Sequence, residues 1–172
     1  MQRDVVSILD GATFVISDRR GDIDATPASP HGLFHADMRY LSRFRLTVNG
    51  VSPVVLSIDD ASHDAAQFFL VQPTGSVILV QPTGSVIDDA QLSVIRRRSI
   101  DLGFREEIAV LNHSLQAVRL ELRIEVGADF TDLFEVKEQL EKAGDHYRDV
   151  REDGLVLGYR RGTYRCETAL TT

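Results

Sequence analysis

The chain has 172 residues, of which 43% are hydrophobic and 26% charged, proportions of an ordinary folded protein that exclude a disordered or fibrous class. Lys and Arg number 19 against 26 Asp and Glu, and the net charge of -7 repels a phosphate backbone, so no nucleic acid is expected as a partner. A domain of this length buries about 70% of the surface its unfolded chain exposes, enough for a real core.

The opening residues, 1–11, scatter Arg3, Asp4 and Asp10 among apolar side chains and contain no secretory pattern. No apolar stretch approaches the roughly 18 residues that span a bilayer, so a cytoplasmic setting without membrane association is expected. Residues 13–17 form the first strand candidate, bounded by Gly and Asp. Residues 30–39 read PHGLFHADMR, in which His31, His35 and Asp37 have a spacing that would set both histidines on one side of a strand or helical turn. Pro30 and Gly32 argue against a regular element there, and hydrogen-bonding roles outweigh ligation. No metal and no cofactor is expected.

Residues 41–48 alternate Phe44, Leu46 and Val48 with Arg43, Arg45 and Thr47, the period of a half-buried strand. Asn49-Gly50 follows and supplies the positive φ angles of a tight turn, which predicts that residues 51–58 return beside it. Residues 70–78 and 79–87 both read LVQPTGSVI, a tandem duplication too short for a solenoid and read as a lengthened hairpin. Residues 92–96 and 104–111 are further strand candidates. The basic triplet Arg96-Arg97-Arg98 reads as a solvated face without a function.

The clearest period of two runs through residues 118–126, where Val118, Leu120, Leu122, Ile124 and Val126 alternate with Arg119, Glu121, Arg123 and Glu125. One face should be core and the other wet. Residues 127–135, GADFTDLFE, then place Phe130 and Phe134 over the end of the sheet while Asp129 and Asp132 cap the turn. Rings beside carboxylates also suit a sugar, although core packing explains Phe more often. Residues 135–143 favour a helix stopped by Gly144, the one short helix expected. Residues 155–159 are the last strand candidate, and Cys166, alone in the chain, reads as a buried inert thiol. Short strands at this spacing predict an all-β antiparallel sandwich.

Three segments, residues 10–22 (DGATFVISDRRGD), 31–42 (HGLFHADMRYLS) and 127–136 (GADFTDLFEV), resemble in order and spacing the N-terminal domain of bacterial glycogen debranching enzymes of the amylo-α-1,6-glucosidase type. The resemblance implies one β-sandwich domain over residues 1–172, the N-terminal portion of a larger glycoside hydrolase, with the duplication of residues 70–87 inside it. It implies catalytic carboxylates in a following helical toroid, none in this chain, and a helical catalytic domain and α-glucan as partners, with homodimerisation open to an isolated copy. It makes His31, His35, Asp37, Arg39, Asp129 and Asp132 the candidates for the substrate rim or domain interface. A sandwich with that role should expose an apolar patch of several hundred Å². A free carbohydrate-binding or protein-interaction module is the competing expectation, weakened by the lack of Trp and an aromatic share of 7%. A stand-alone glycosidase needs two carboxylates across a deep cleft.

Overall fold

The computed structural model describes residues 5–60, 62–73, 92–138 and 142–172. Most of the LVQPTGSVI duplication lies outside the described residues. The fold is an all-β antiparallel sandwich with one short helix, as its alternating sequence predicts.

Among the described residues the strands form four antiparallel sheets. The first contains β1 (Val5–Asp10), β2 (Thr13–Asp18), β4 (Gly32–His35) and β5 (Met38–Leu41) in that order. Gly11, at φ +55°, opens the two-residue turn that joins β1 to β2, a conformation a side chain resists. The second sheet centres β6 (Arg43–Val48) between β11 (Leu122–Gly127) and the two-residue β3 (Ile23–Asp24). The third is a meander of β7 (Val54–Asp59), β8 (Ala65–Val71), β9 (Leu92–Ile100) and β10 (Phe104–Asn112). The fourth is β12 (Asp145–Arg151), β13 (Gly154–Arg161) and β14 (Tyr164–Thr171).

The inner faces of the first three sheets meet in one core. Val6, Ile8 and Val15 come from the first, Phe44, Leu46 and Val48 from the second, and Phe68, Leu70 and Val94 from the third. Strand alternation puts every second side chain there, and each fully buried one contributes about 1.5–3 kcal/mol by leaving water. The fourth sheet leans on this core through the partly buried Leu157 and Leu170, and Thr168 Oγ1 donates to the Tyr40 carbonyl at 2.7 Å.

Several expectations are corrected. Asn49 and Gly50 do form a turn, at φ 51° and 77°, but only the Val48–Val51 bridge follows it. The next strand, β7, pairs with β8, because β11 occupies the edge of β6 where the return was expected. Residues 32–35 are a strand despite Pro30 and Gly32. Residues 118–121 lie outside β11, and Leu122 and Ile124 are 47% and 42% exposed, so the expected core face of this segment is largely open.

The basic triplet is corrected most sharply. Arg97 is exposed, whereas Arg96 and Arg98 point into the core and are 0% and 2% accessible. Arg96 Nε donates to Glu106 Oε1 at 2.7 Å, and its Nη1 donates to Asp22 Oδ1 at 2.6 Å and to the Arg20 carbonyl at 2.8 Å. Arg98 Nε donates to Glu106 Oε2 at 2.8 Å, and its Nη2 reaches the Gly21 carbonyl. The Phe68 and Phe104 rings lie 5.4 and 5.1 Å from the Arg98 guanidinium carbon. Two cations therefore face two carboxylates, and Asp22 Oδ1 also accepts from Leu46 N at 3.1 Å. The cluster bolts the third sheet to the β2–β3 loop and to β6. Gly21 sits at φ +82° with the Phe68 ring 3.0 Å from where a Cβ would be, so a side chain there would be strained and would press on that ring.

Candidate functional site

The site is built on the hairpin of β4 and β5. Its two-residue turn, Ala36 and Asp37, has φ 43° and 69°, the paired positive angles of a tight hairpin. Asp tolerates this conformation, while Ala36 is held in it by the hydrogen bond from its N–H to the Ala12 carbonyl at 3.1 Å. The hairpin docks on the segment after β11. Arg39 N donates to the Thr131 carbonyl at 2.9 Å, and Leu133 N donates to the Asp37 carbonyl at 3.0 Å.

This docking carries Arg39 to Asp129. Its Nε reaches Asp129 Oδ1 at 3.0 Å and its Nη2 reaches Oδ2 at 2.5 Å, a two-pronged charge-assisted pair. The Arg39 Nη1 donates to the His31 carbonyl at 3.4 Å. Gly32 makes room for it, since a Cβ at that position would stand 2.6 Å from both Arg39 Cδ and the Phe34 ring. Gly32 is thus a packing requirement of Arg39.

Beyond Asp129 the chain turns through Phe130, at φ +52° and fully buried, whose ring packs on Tyr40 at 5.9 Å, Tyr159 at 6.2 Å and His146 at 6.3 Å. Asp132 and Glu135 then bind each other's backbone N–H at 2.8 Å, a reciprocal capping box that starts α1 (Leu133–Glu138). The helix thus begins earlier than residue 135, and Phe134 is 77% exposed, not packed. Lys142 Nζ donates to Glu135 Oε2 at 3.1 Å and lies 5.3 Å from the Tyr159 ring centre. The Tyr159 hydroxyl donates to the Ala143 carbonyl at 2.5 Å.

Together these groups wall an open cleft of about 640 Å³, with Arg39, Arg43, Asp129, Glu135, Lys142 and His146 among its lining. The cleft carries both signs of charge among apolar side chains. Behind it, burial first and the neighbouring Cys166 second raise the Tyr40 phenol above its ordinary range. Burial also raises the Cys166 thiol, which keeps it protonated and unreactive near neutral pH.

Of the residues singled out in the sequence, Arg39 and Asp129 line this cleft. His31 lies beneath it, 8% exposed, its Nδ1 accepting from Asp24 N at 3.4 Å. Asp132 caps the helix at its rim. His35 is turned elsewhere, 2.7 Å from Thr13 Oγ1 and edge-on to Tyr40, in a groove with Leu102 and Gly103. Asp37 serves through its backbone in the turn. Sequence reading missed Lys142 and His146. His146 sits in a strand whose pattern is almost uniformly exposed and carries no signal of a site, whereas the Asp132-x-x-Glu135 capping spacing was visible. A second open groove, about 570 Å³, lies on the outer face of β8–β10 beside Gln67, Arg97 and Arg105 and contains none of these residues.

Residues 8–172 match the family model described as the N-terminal domain of (some) glycogen debranching enzymes. The chain belongs to this family. No curated protein and no solved structure matches it. The match spans all three segments that carry the resemblance in sequence. In this debranching-enzyme domain, residues 10–22 feed the buried ion cluster, while residues 31–42 and 127–136 meet to form the cleft. Among the described residues no helix is long and apolar enough to cross a membrane.

Proposed function

We propose that this is the non-catalytic sandwich of an amylo-α-1,6-glucosidase-type glycoside hydrolase, which packs beside a helical catalytic domain in the cytoplasm and guides α-glucan through the Arg39–Asp129 cleft. The observation that carries the reading is how the cleft's acids are used. Asp129 is committed to Arg39 and Glu135 to Lys142 and the helix cap, so both are acceptors locked in ion pairs. A glycosidase needs one carboxyl group free to give a proton and a second to attack or to activate water. Locked charges instead offer a rigid set of donors and acceptors, which suits the hydroxyls of a sugar. Arg39 and Asp129 form the wall, with His31 behind Arg39, Asp132 at the rim, and Asp37 in the turn that seats the hairpin. His35 belongs to an interface on the opposite side of that hairpin.

The test is incubation of the chain with glycogen and with a limit dextrin, following co-sedimentation and glucose release together. Co-sedimentation without release is expected, with binding reduced about tenfold in Lys142→Ala, a loss of about 1.4 kcal/mol. Glucose release abolished by a carboxylate substitution would overturn the reading. A protein-interaction module is the second reading, favoured by the open apolar row Leu122 and Ile124 on β11.

A further inference from the structure

The strand β11 forms one edge of its sheet, with β6 on one side and no strand on the other among the described residues. Asn49 N donates to the Glu121 carbonyl at 2.8 Å, and Ser42 N donates to the Gly127 carbonyl at 2.9 Å. The odd-numbered residues of this segment therefore turn their backbone groups toward β6, and Leu122, Ile124 and Val126 turn theirs outward, as antiparallel alternation requires. Such a row is a template for another strand unless it is protected by repelling charge, a bulge or a cover.

The side chains differ by face. Leu122, Ile124 and Val126 stand opposite Val48, Leu46 and Phe44, so they lie on the core face of the sheet. There the sandwich runs out of cover, with Leu122 47% and Ile124 42% exposed. The other face presents Arg123 and Glu125. Arg123 is 65% exposed and paired with Glu121, itself 66% exposed, at 3.3 Å.

We infer that the free edge of β11 pairs antiparallel with β11 of a second copy of this chain, about a two-fold axis through Ile124. The extent of the strand and its alternating charges select that occupant and register. A two-fold at Ile124 keeps both partners within β11 and sets Arg123 opposite Glu125, a pair that occurs twice, with Leu122 opposite Val126 on the apolar face. A shift of the axis to Arg123 sets Arg123 against itself and Glu121 against Glu125. Like charges directly opposite each other disfavour that register, so the charge order acts as a filter. The exposed ion pairs choose the register, and covering the apolar row supplies most of the free energy.

Sedimentation equilibrium of the 172-residue chain tests this. The expected result is a concentration-dependent species of twice the 19.2 kDa chain mass. Arg123→Glu, on an exposed side chain, sets acid against acid twice and should weaken dimerisation about tenfold or more. The double variant Arg123→Glu with Glu125→Arg restores opposite charges at the Ile124 register and should recover it. A chain that stays monomeric, a dimer indifferent to Arg123→Glu, or a double variant that fails to recover would each overturn the inference. Circular dichroism of both variants confirms that the fold is retained before either is scored.

Discussion

Replacing Glu106 with alanine is expected to destabilise the fold by about 3–5 kcal/mol, the usual cost of removing one partner from a buried ion cluster. Glu106 is the carboxylate shared by Arg96 and Arg98, whose side chains are 0% and 1% accessible. Without it, Asp22 alone faces two guanidinium groups, and Arg98 keeps only the Gly21 carbonyl among its described hydrogen-bond acceptors. Burial already lowers the Arg98 pKa, so removing Glu106 leaves a desolvated cation without its opposing carboxylate. Urea unfolding measures the effect. A loss below about 1 kcal/mol would mean that water reaches the cluster and that it is not the bolt described above.

The second large effect is expected at Phe130. Phe130→Ala should cost about 3–5 kcal/mol, since the ring is fully buried among Tyr40, Tyr159 and His146 and its loss leaves a cavity. The backbone at φ +52° makes a further, separable prediction. Phe130→Gly deletes the same ring but relieves the left-handed strain, so it should be roughly 1 kcal/mol more stable than Phe130→Ala. Thermal unfolding of the pair decides it. An alanine variant at least as stable as the glycine variant would show that the positive φ is not held in solution. Because Phe130 follows Asp129 directly, both variants should also loosen the Arg39–Asp129 pair and weaken glucan binding.

The sandwich was legible because period-two patterns such as Phe44, Leu46 and Val48 carry it locally. Strand partners were not. The Asn49-Gly50 turn forms as read, yet the neighbour of β6 is β11, a strand more than 70 residues later, and no local rule reaches that far. The Arg96–Arg98 misreading has the same origin. A charge on an alternating strand is scored as wet, whereas Arg96 is buried against Asp22 and the Arg20 carbonyl, 74 and 76 residues away, together with Glu106 on the next strand. The alternation read over residues 118–126 holds from Leu122 to Val126, but periodicity gives a side chain's face and not whether anything covers it.

The cleft divides in the same way. Arg39 and Asp129 lie 90 residues apart, and they were drawn together by the resemblance of their two segments to one family, not by spacing. His35 shared its segment with Arg39 and yet faces away, because strand alternation sends neighbouring side chains to opposite faces. Lys142 and His146 enter through the aromatic cluster around Tyr159, which no sequence pattern announces.

The most direct measurement is a ¹⁵N–¹H correlation titration of the chain with maltooligosaccharide. The account predicts that the amides of Ala25, Ser42, Gly127, Ala128, Thr131 and His146 shift together and saturate, and that the outer face of β8–β10 stays unmoved. Shifts confined to Gln67, Arg97 and Arg105, or no shifts at saturating sugar, would contradict the claim that the Arg39–Asp129 cleft receives the glucan.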